Sequence, residues 1–289
     1  QEQRNAGRRR KTLEWHETAL GFLHQYLVKE RHLTFLSQLT ESEIRGWLTF
    51  LHTTSSVTGT PRRASTIATY GRSARAFCHW GVRNGYLDRL PITRGILPRA
   101  GKKRIQVIEP DVFERLLLAC RPERAIGVVG DRTAARNRAI LWIFRDTGMR
   151  ASELCGLRLS DINREQRTLR VEGTGRERWL PLSSNGWYQV LSYLERHRPA
   201  KVFVEGEDVE EGFLFLSETY EPLSINALTL LFDRLRKRAG MSEQPINPSQ
   251  LRDTFAICYL RAGGEQDTLR ELLGLRGKTA LARYEQLST

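Results

Sequence analysis

The sequence holds no apolar run near the roughly 20 residues needed to cross a bilayer. Nor does it open with a charged start and an apolar core, as a signal peptide would. Cysteine is scarce: Cys78, Cys120, Cys155 and Cys258 lie far apart, and none forms a C-x-x-C pair. That argues against a disulfide framework or a zinc ribbon. Each sits in an apolar, helix-like context, which predicts buried free thiols in a reducing cytosol. Histidine is scarce too, and the six (His16, His24, His32, His52, His79 and His197) fall outside every chemistry-bearing motif below. The first residue is Gln rather than Met, which suggests that sequence is missing upstream.

Positive charge is abundant. Lys and Arg total 46 against 33 acidic residues, a net charge of +13 over 289 residues. An imbalance of this size points to a polyanionic partner. The basic residues are spread through both halves without a single amphipathic basic helix, which favours nucleic acid over a membrane surface. The plainer reading is that they only keep the protein soluble. Hydrophobic residues make up 40% of the chain, so it is globular rather than disordered, and its length suits two domains with their own cores.

Residues 1–11 carry Arg4, Arg8, Arg9, Arg10 and Lys11 and read as a basic arm. Residues 12–98 read as an all-helical domain of about four helices. Thr40 precedes one of them as a cap, Thr53 to Thr60 form a loop, Ser65 caps the next helix and Gly85 ends it. Residues 99–108 are a basic linker whose Lys102, Lys103 and Arg104 suit a DNA backbone. Residues 109–289 mix helices with one β-hairpin signal, in which Leu169 and Val171 alternate with charged residues, 173–175 turn and 178–182 return. Near the end, Asn247-Pro248 starts a helix with Leu251, Phe255, Cys258 and Tyr259 as its apolar stripe. Gly263-Gly264 stops it, Asp267 opens another that Gly274 stops, and Thr279 opens a last short helix carrying Leu281, Tyr284 and Leu287.

Four segments of this second half resemble the tyrosine site-specific recombinases, the family of phage integrases and Xer-type enzymes. Thr147-Gly148-Met149-Arg150-Ala151-Ser152-Glu153 through Leu157 is similar to T-G-x-R-x-S-E-x-x-x-L, and the hairpin ends in Leu180-Pro181-Leu182. Ser249-Gln250-Leu251-Arg252-Asp253-Thr254-Phe255-Ala256 is similar to H-x-L-R-H-T-F-A. Leu272-Leu273-Gly274-Leu275 through Arg283-Tyr284 is similar to L-L-G-H and the nucleophilic tyrosine that follows. Each alone is weak, while their order and spacing together are specific. The N-terminal half resembles the family's core-binding domain, so the likeness covers nearly the whole chain.

The resemblance implies a mainly α protein with a small β-hairpin or sheet. A helical, SAM-like core-binding domain and an α+β catalytic domain would clamp double-stranded DNA. It implies Arg150, Arg252 and Tyr284 as catalytic residues, with Glu153 buttressing Arg150. Strand cleavage would pass through a 3′-phosphotyrosine without metal, cofactor or ATP, in dimers on a site and tetramers in synapsis. The chemistry agrees. Guanidinium forks match phosphate bidentately and stay charged, two of them form an electrostatic clamp, and a phenolate is a competent nucleophile. Each residue also has a duller reading. Arg150 could be a surface residue at a helix start, Glu153 a cap, Arg252 a solvated helix residue and Tyr284 core.

The sequence departs from the family at several positions. Ser249 stands where a histidine is expected, Asp253 where a second usually follows the arginine, and Leu275 where His or Trp follows Leu-Leu-Gly. The hairpin lysine, the family's general acid, falls at Thr174. Ser249 could bond a phosphate oxygen, and Arg176 or Arg178 could supply charge, though an arginine pKa of about 12.5–13.8 makes it a poor proton donor. Each lost acid–base group is worth about 10²–10⁴-fold in rate, so catalysis is expected to be slow or lost. Only five residues follow Tyr284, against a further docking helix in many family members, so that helix is truncated or assembly uses another contact. The alternatives are a recombinase-fold regulator that binds DNA without strand exchange, a type IB topoisomerase-like enzyme and, least favoured, a helix-turn-helix factor.

Overall fold

The computed structural model describes residues 10–54, 59–98, 105–122, 128–172, 177–199, 212–277 and 281–284. The basic arm before residue 10, the linker residues Lys102, Lys103 and Arg104, the hairpin tip with Thr174 and Arg176, and the start of the last helix at Thr279 lie outside them. The chain forms two compact units, Gln1–Lys103 and Arg104–Thr289.

The first unit contains α1 (Arg10–Gln25), α2 (Glu41–Thr53) and α3 (Ala64–Arg83). Among the described residues these three α-helices, where about four were expected, are accompanied by a π turn over Tyr26–Glu30 and 3-10 turns at Leu36–Gln38 and Arg94–Ile96. Ala19, Leu23, Ile44, Trp47, Leu51, Ile67, Ala74 and Cys78 make its core. Thr40 caps α2, its side chain accepting from the Glu43 N–H. The expected Ser65 cap is corrected, because α3 starts at Ala64, two residues earlier than that cap would set it, behind Arg63, which makes no side-chain cap. The chain leaves α3 through Gly85 at φ +74°, a left-handed turn that glycine adopts without strain.

The second unit contains α4 (Pro110–Ala119), α5 (Val128–Thr147), α6 (Ala151–Gly156), β1 (Ile162–Asn163), β2 (Thr168–Val171), β3 (Arg178–Pro181), α7 (Ser184–Ser192), α8 (Ile225–Arg238), α9 (Pro248–Arg261) and α10 (Gln266–Leu272). The expected hairpin is present, with Leu169 opposite Leu180 and Val171 opposite Arg178. β1, two residues long and too short to show a period, adds a third antiparallel strand, in the order β1-β2-β3. The core forms around α5, from Ala139, Ile140, Ile143 and Phe144, with Leu169 and Leu180 of the hairpin and Phe232 of α8.

Asn247 caps α9 by accepting from the Gln250 N–H, with Pro248 at the first helical position. α10 begins behind Glu265 rather than at Asp267. The stripe expected on α9 is a further correction. Cys258 is exposed, and Phe255 and Tyr259 are half-buried. The face that α9 buries instead carries Leu251, Arg252, Asp253, Ala256 and Ile257. Two charged residues thus point inward, and their partners make the site.

Candidate functional site

The site begins where α5 ends. Gly148, at φ +57°, turns the chain out of the helix, and a Cβ there would stand 2.6 Å from the Phe255 ring. Only glycine satisfies both the turn and the approach. The turn places Arg150 immediately before α6, the position whose side chain would cap it. Glu153, three residues on, reaches back to accept from the Arg150 backbone N–H at 2.7 Å, the acidic half of a capping box. The same carboxylate also accepts from Arg150 Nη1 at 2.7 Å and from Arg178 Nη2 at 2.8 Å. Glu153 therefore accepts at the start of its helix and from the Arg150 side chain at once.

A second shared feature is the C-terminal end of α10. The last carbonyls of a helix lack intrahelical partners and carry the negative end of its dipole. Here three successive carbonyls each receive a different arginine. Leu272 O accepts from Arg178 Nε at 2.8 Å, Leu273 O from Arg252 Nη2 at 2.6 Å, and Gly274 O from Arg150 Nη2 at 3.1 Å. Arg252 also donates through Nη1 to Gly148 O at 2.8 Å. Gly274, at φ +58°, leaves room for this, since a Cβ would lie 3.0 Å from Arg178 Nη1. Side chains from the cap position of α6, from β3 and from α9 thus converge on one turn.

Two of the three guanidiniums, Arg150 and Arg178, share the Glu153 carboxylate while Arg252 bonds only backbone carbonyls, so the cluster carries surplus positive charge. Arg252 is 8% exposed. Burial, and then the neighbouring Arg150 charge, lower its pKa to about 10. It remains protonated at neutral pH, in surroundings that disfavour its charge and so favour an added anion. Burial alone would raise the Glu153 carboxyl, but the Arg178 and Arg150 hydrogen bonds outweigh it and hold the group below the ordinary carboxylate range. A cavity of about 570 Å³ lined by Arg178, Trp179, Arg270, Gly274 and Arg276 opens beside the cluster.

Tyr284 is 2% exposed and packs with Ala256, Ile257, Leu269, Leu273 and Leu281. Its hydroxyl donates to Asp253 Oδ1 at 2.7 Å. Arg283 donates to both that carboxylate and the phenol oxygen, and its guanidinium lies 4.4 Å from the Tyr284 ring centre. Burial and the Asp253 hydrogen bond raise the phenol's pKa against the opposing pull of Arg283. Core packing and an engaged hydroxyl therefore coexist.

The structure brings together Arg150, Glu153, Arg178 and Arg252, and ties the Tyr284 hydroxyl to Asp253, the residue that follows Arg252. Arg178 is turned inward, its side chain only 9% exposed. Ser249 is exposed in the first turn of α9, and Leu275 is half-buried against the apolar cluster around Tyr284. Sequence reasoning marked Asp253 only as a departure from the family pattern and passed over Arg283. The one available signal was their pairing potential, an acid beside Arg252 and a base beside Tyr284.

The family model for the phage integrase family matches residues 106–289. Among curated proteins, a tyrosine recombinase XerD from Listeria innocua is 26% identical over 264 residues, 91% of this chain and 83% of the relative. A tyrosine recombinase XerC from Mycobacterium sp. (strain KMS) is 30% identical over 241 residues, 83% of this chain and 75% of the relative. Two solved structures share the fold. The Tn1549 transposon integrase in complex with circular intermediate DNA has a TM-score of 0.77 at 21% identity, covering 98% of this chain and 92% of its own. The XerH site-specific recombinase bound to a palindromic difH substrate has a TM-score of 0.73 at 18% identity, covering 96% and 77%. On its sequence match and on the fold it shares, the chain belongs to the phage integrase family.

Proposed function

We propose that this chain is a site-specific DNA recombinase that cuts and rejoins duplex DNA through a 3′-phosphotyrosine at Tyr284. The observation that carries this reading is the gathering of Arg150, Arg178 and Arg252 on the carbonyls that end α10, with the Tyr284 hydroxyl bonded to Asp253, the neighbour of Arg252 in α9. Arg150 and Arg252 clamp the nonbridging oxygens of one backbone phosphate and stabilise the charge that builds there during displacement. Arg178 and Glu153 hold Arg150 in place. Tyr284 attacks phosphorus and the 5′ oxygen leaves. Because the phosphodiester is exchanged rather than hydrolysed, rejoining needs no ATP.

Two partner copies on one site, and four in synapsis, complete strand exchange. The DNA backbone is followed by the basic residues of 99–108, Lys102, Lys103 and Arg104 among them. The setting is the cytoplasm of a prokaryote or the life cycle of a mobile element. No helix among the described residues is long and apolar enough to cross a membrane.

A randomised duplex library supplies the target by selection for binding, and a nicked version of the selected duplex traps any covalent product. The expected result is an adduct that disappears in Tyr284→Phe. Site-specific binding with no adduct from the unmodified protein would instead support a DNA-binding regulator. The near-complete burial of the phenol in the free protein is the observation that favours that second reading.

A further inference from the structure

We infer that Asp253 is the general base of strand cleavage, accepting the Tyr284 proton as the phenol attacks phosphorus. The inference rests on the recombinase reading above and names the proton acceptor of that same site.

A phenol needs to lose its proton to become a strong nucleophile, and a general base must lie within hydrogen-bond reach, about 2.6–3.2 Å, of the proton it takes. Asp253 Oδ1 stands 2.7 Å from the phenol oxygen. Both residues are buried, at 6% and 2% exposure, so bulk water is largely shut out as a rival acceptor. The Asp253 backbone belongs to α9, next to the phosphate-clamping Arg252. Arg283 spans the pair and stabilises negative charge on either oxygen. The family's histidines at Ser249 and Leu275 are replaced by a hydroxyl and a hydrocarbon, and neither can take this proton near neutral pH.

The step balances as follows. The phenol O–H bond breaks and its proton passes to Asp253 Oδ1. The phenol oxygen forms a bond to phosphorus, the bond from phosphorus to the 5′ oxygen breaks, and that oxygen keeps the electron pair and takes a proton from water. On rejoining, the 5′ hydroxyl loses its proton to water as it attacks, and protonated Asp253 returns its proton to the departing phenolate. One carboxylate is base in one direction and acid in the other.

The ionisable groups that act on the phenol are Asp253 and Arg283, and Arg252, next to Asp253 in α9, interacts electrostatically with the phenol and with Arg150, Glu153 and Arg178. The test is single-turnover adduct formation on the selected nicked duplex. Asp253→Asn is expected to slow it about 10²–10⁴-fold, the usual worth of a general base, while duplex affinity stays within twofold. Its rate should climb with pH as hydroxide supplies the phenolate, against a flat wild-type profile across neutral pH. Asp253→Glu should recover part of the rate and the flat profile. A duplex with sulfur replacing the 5′ bridging oxygen expels a thiolate that needs no proton, so the Asn defect should persist on it.

Adduct formation at the wild-type rate in Asp253→Asn, or a defect that vanishes on the sulfur duplex, would overturn the role. Should Asp253→Asn fail to fold, the wild-type protein in deuterium oxide on the sulfur duplex decides. A slowed rate supports proton transfer from the phenol, and an unchanged one overturns it. Failure of the wild-type protein to form any adduct overturns the recombinase reading together with this one.

Discussion

Glu153→Gln is the perturbation with the clearest consequence. The carboxylate is the counter-charge to two guanidiniums, with its side chain 5% exposed, and it accepts from the Arg150 N–H, Arg150 Nη1 and Arg178 Nη2. A glutamine keeps the shape, accepts through one oxygen and offers an N–H where two donors already point. Hydrogen bonds to a charged group contribute about 1.5–3 kcal/mol each, and removing one partner of a buried ion pair costs about 3–5 kcal/mol. A loss of about 4 kcal/mol is expected from the second unit. At roughly 2–4 °C per kcal/mol for a domain of this size, its melting temperature should fall by about 8–16 °C.

The pH dependence carries a sign. The Glu153 pKa is lower in the folded protein than in an unfolded chain. Its contribution is therefore fully present above the unfolded carboxylate value and is lost as pH falls through the folded one. Glu153→Gln should remove that part of the acid sensitivity, so the two melting curves converge as pH is lowered toward 3. Thermal denaturation from about pH 7 to pH 3 measures both effects. A variant within 0.5 kcal/mol of wild type at neutral pH (about the scatter expected of a surface substitution), or a gap that does not close on acidification, would refute the argument.

Two further outcomes follow from the same geometry. Arg252→Lys keeps the charge but cannot reach Gly148 O and Leu273 O together as the guanidinium does, so adduct formation should drop at least about 100-fold, or about 2.7 kcal/mol, and wild-type activity in this variant would argue against a shared-carbonyl clamp. Gly148→Ala forces a Cβ onto the Phe255 ring at a left-handed backbone position. Denaturation should show a loss of about 1–3 kcal/mol together with lost adduct formation, and a fully stable, active variant would contradict the turn's role.

Much of the fold is written in short-range signals. Thr40 and Asn247 accept from backbone N–H groups three residues ahead, and Gly85, Gly263 and Gly274 take the left-handed conformations that end helices. Such caps and stops act within one turn, so neighbouring residues suffice to read them, as does the alternation of β2. The order Arg150, Arg252, Tyr284 is likewise a property of the chain itself. Where local rules failed, the cause was also local: β1 is too short to carry a period, and Arg63 and Glu265 begin helices without a capping side chain.

The partners were decided only by tertiary packing. Nothing in the spacing shows that Leu272, Leu273 and Gly274 offer their carbonyls to three arginines drawn from three other elements, 21 to 124 residues away. Nor does it show that α9 turns Arg252 and Asp253 inward while exposing Cys258. A helix face goes inside when its charges find partners there, and those partners come from segments distant in sequence. The tyrosine's neighbours are set the same way. The sequence could mark the phenol as core or nucleophile, and folding set it in apolar surroundings with its hydroxyl on a carboxylate.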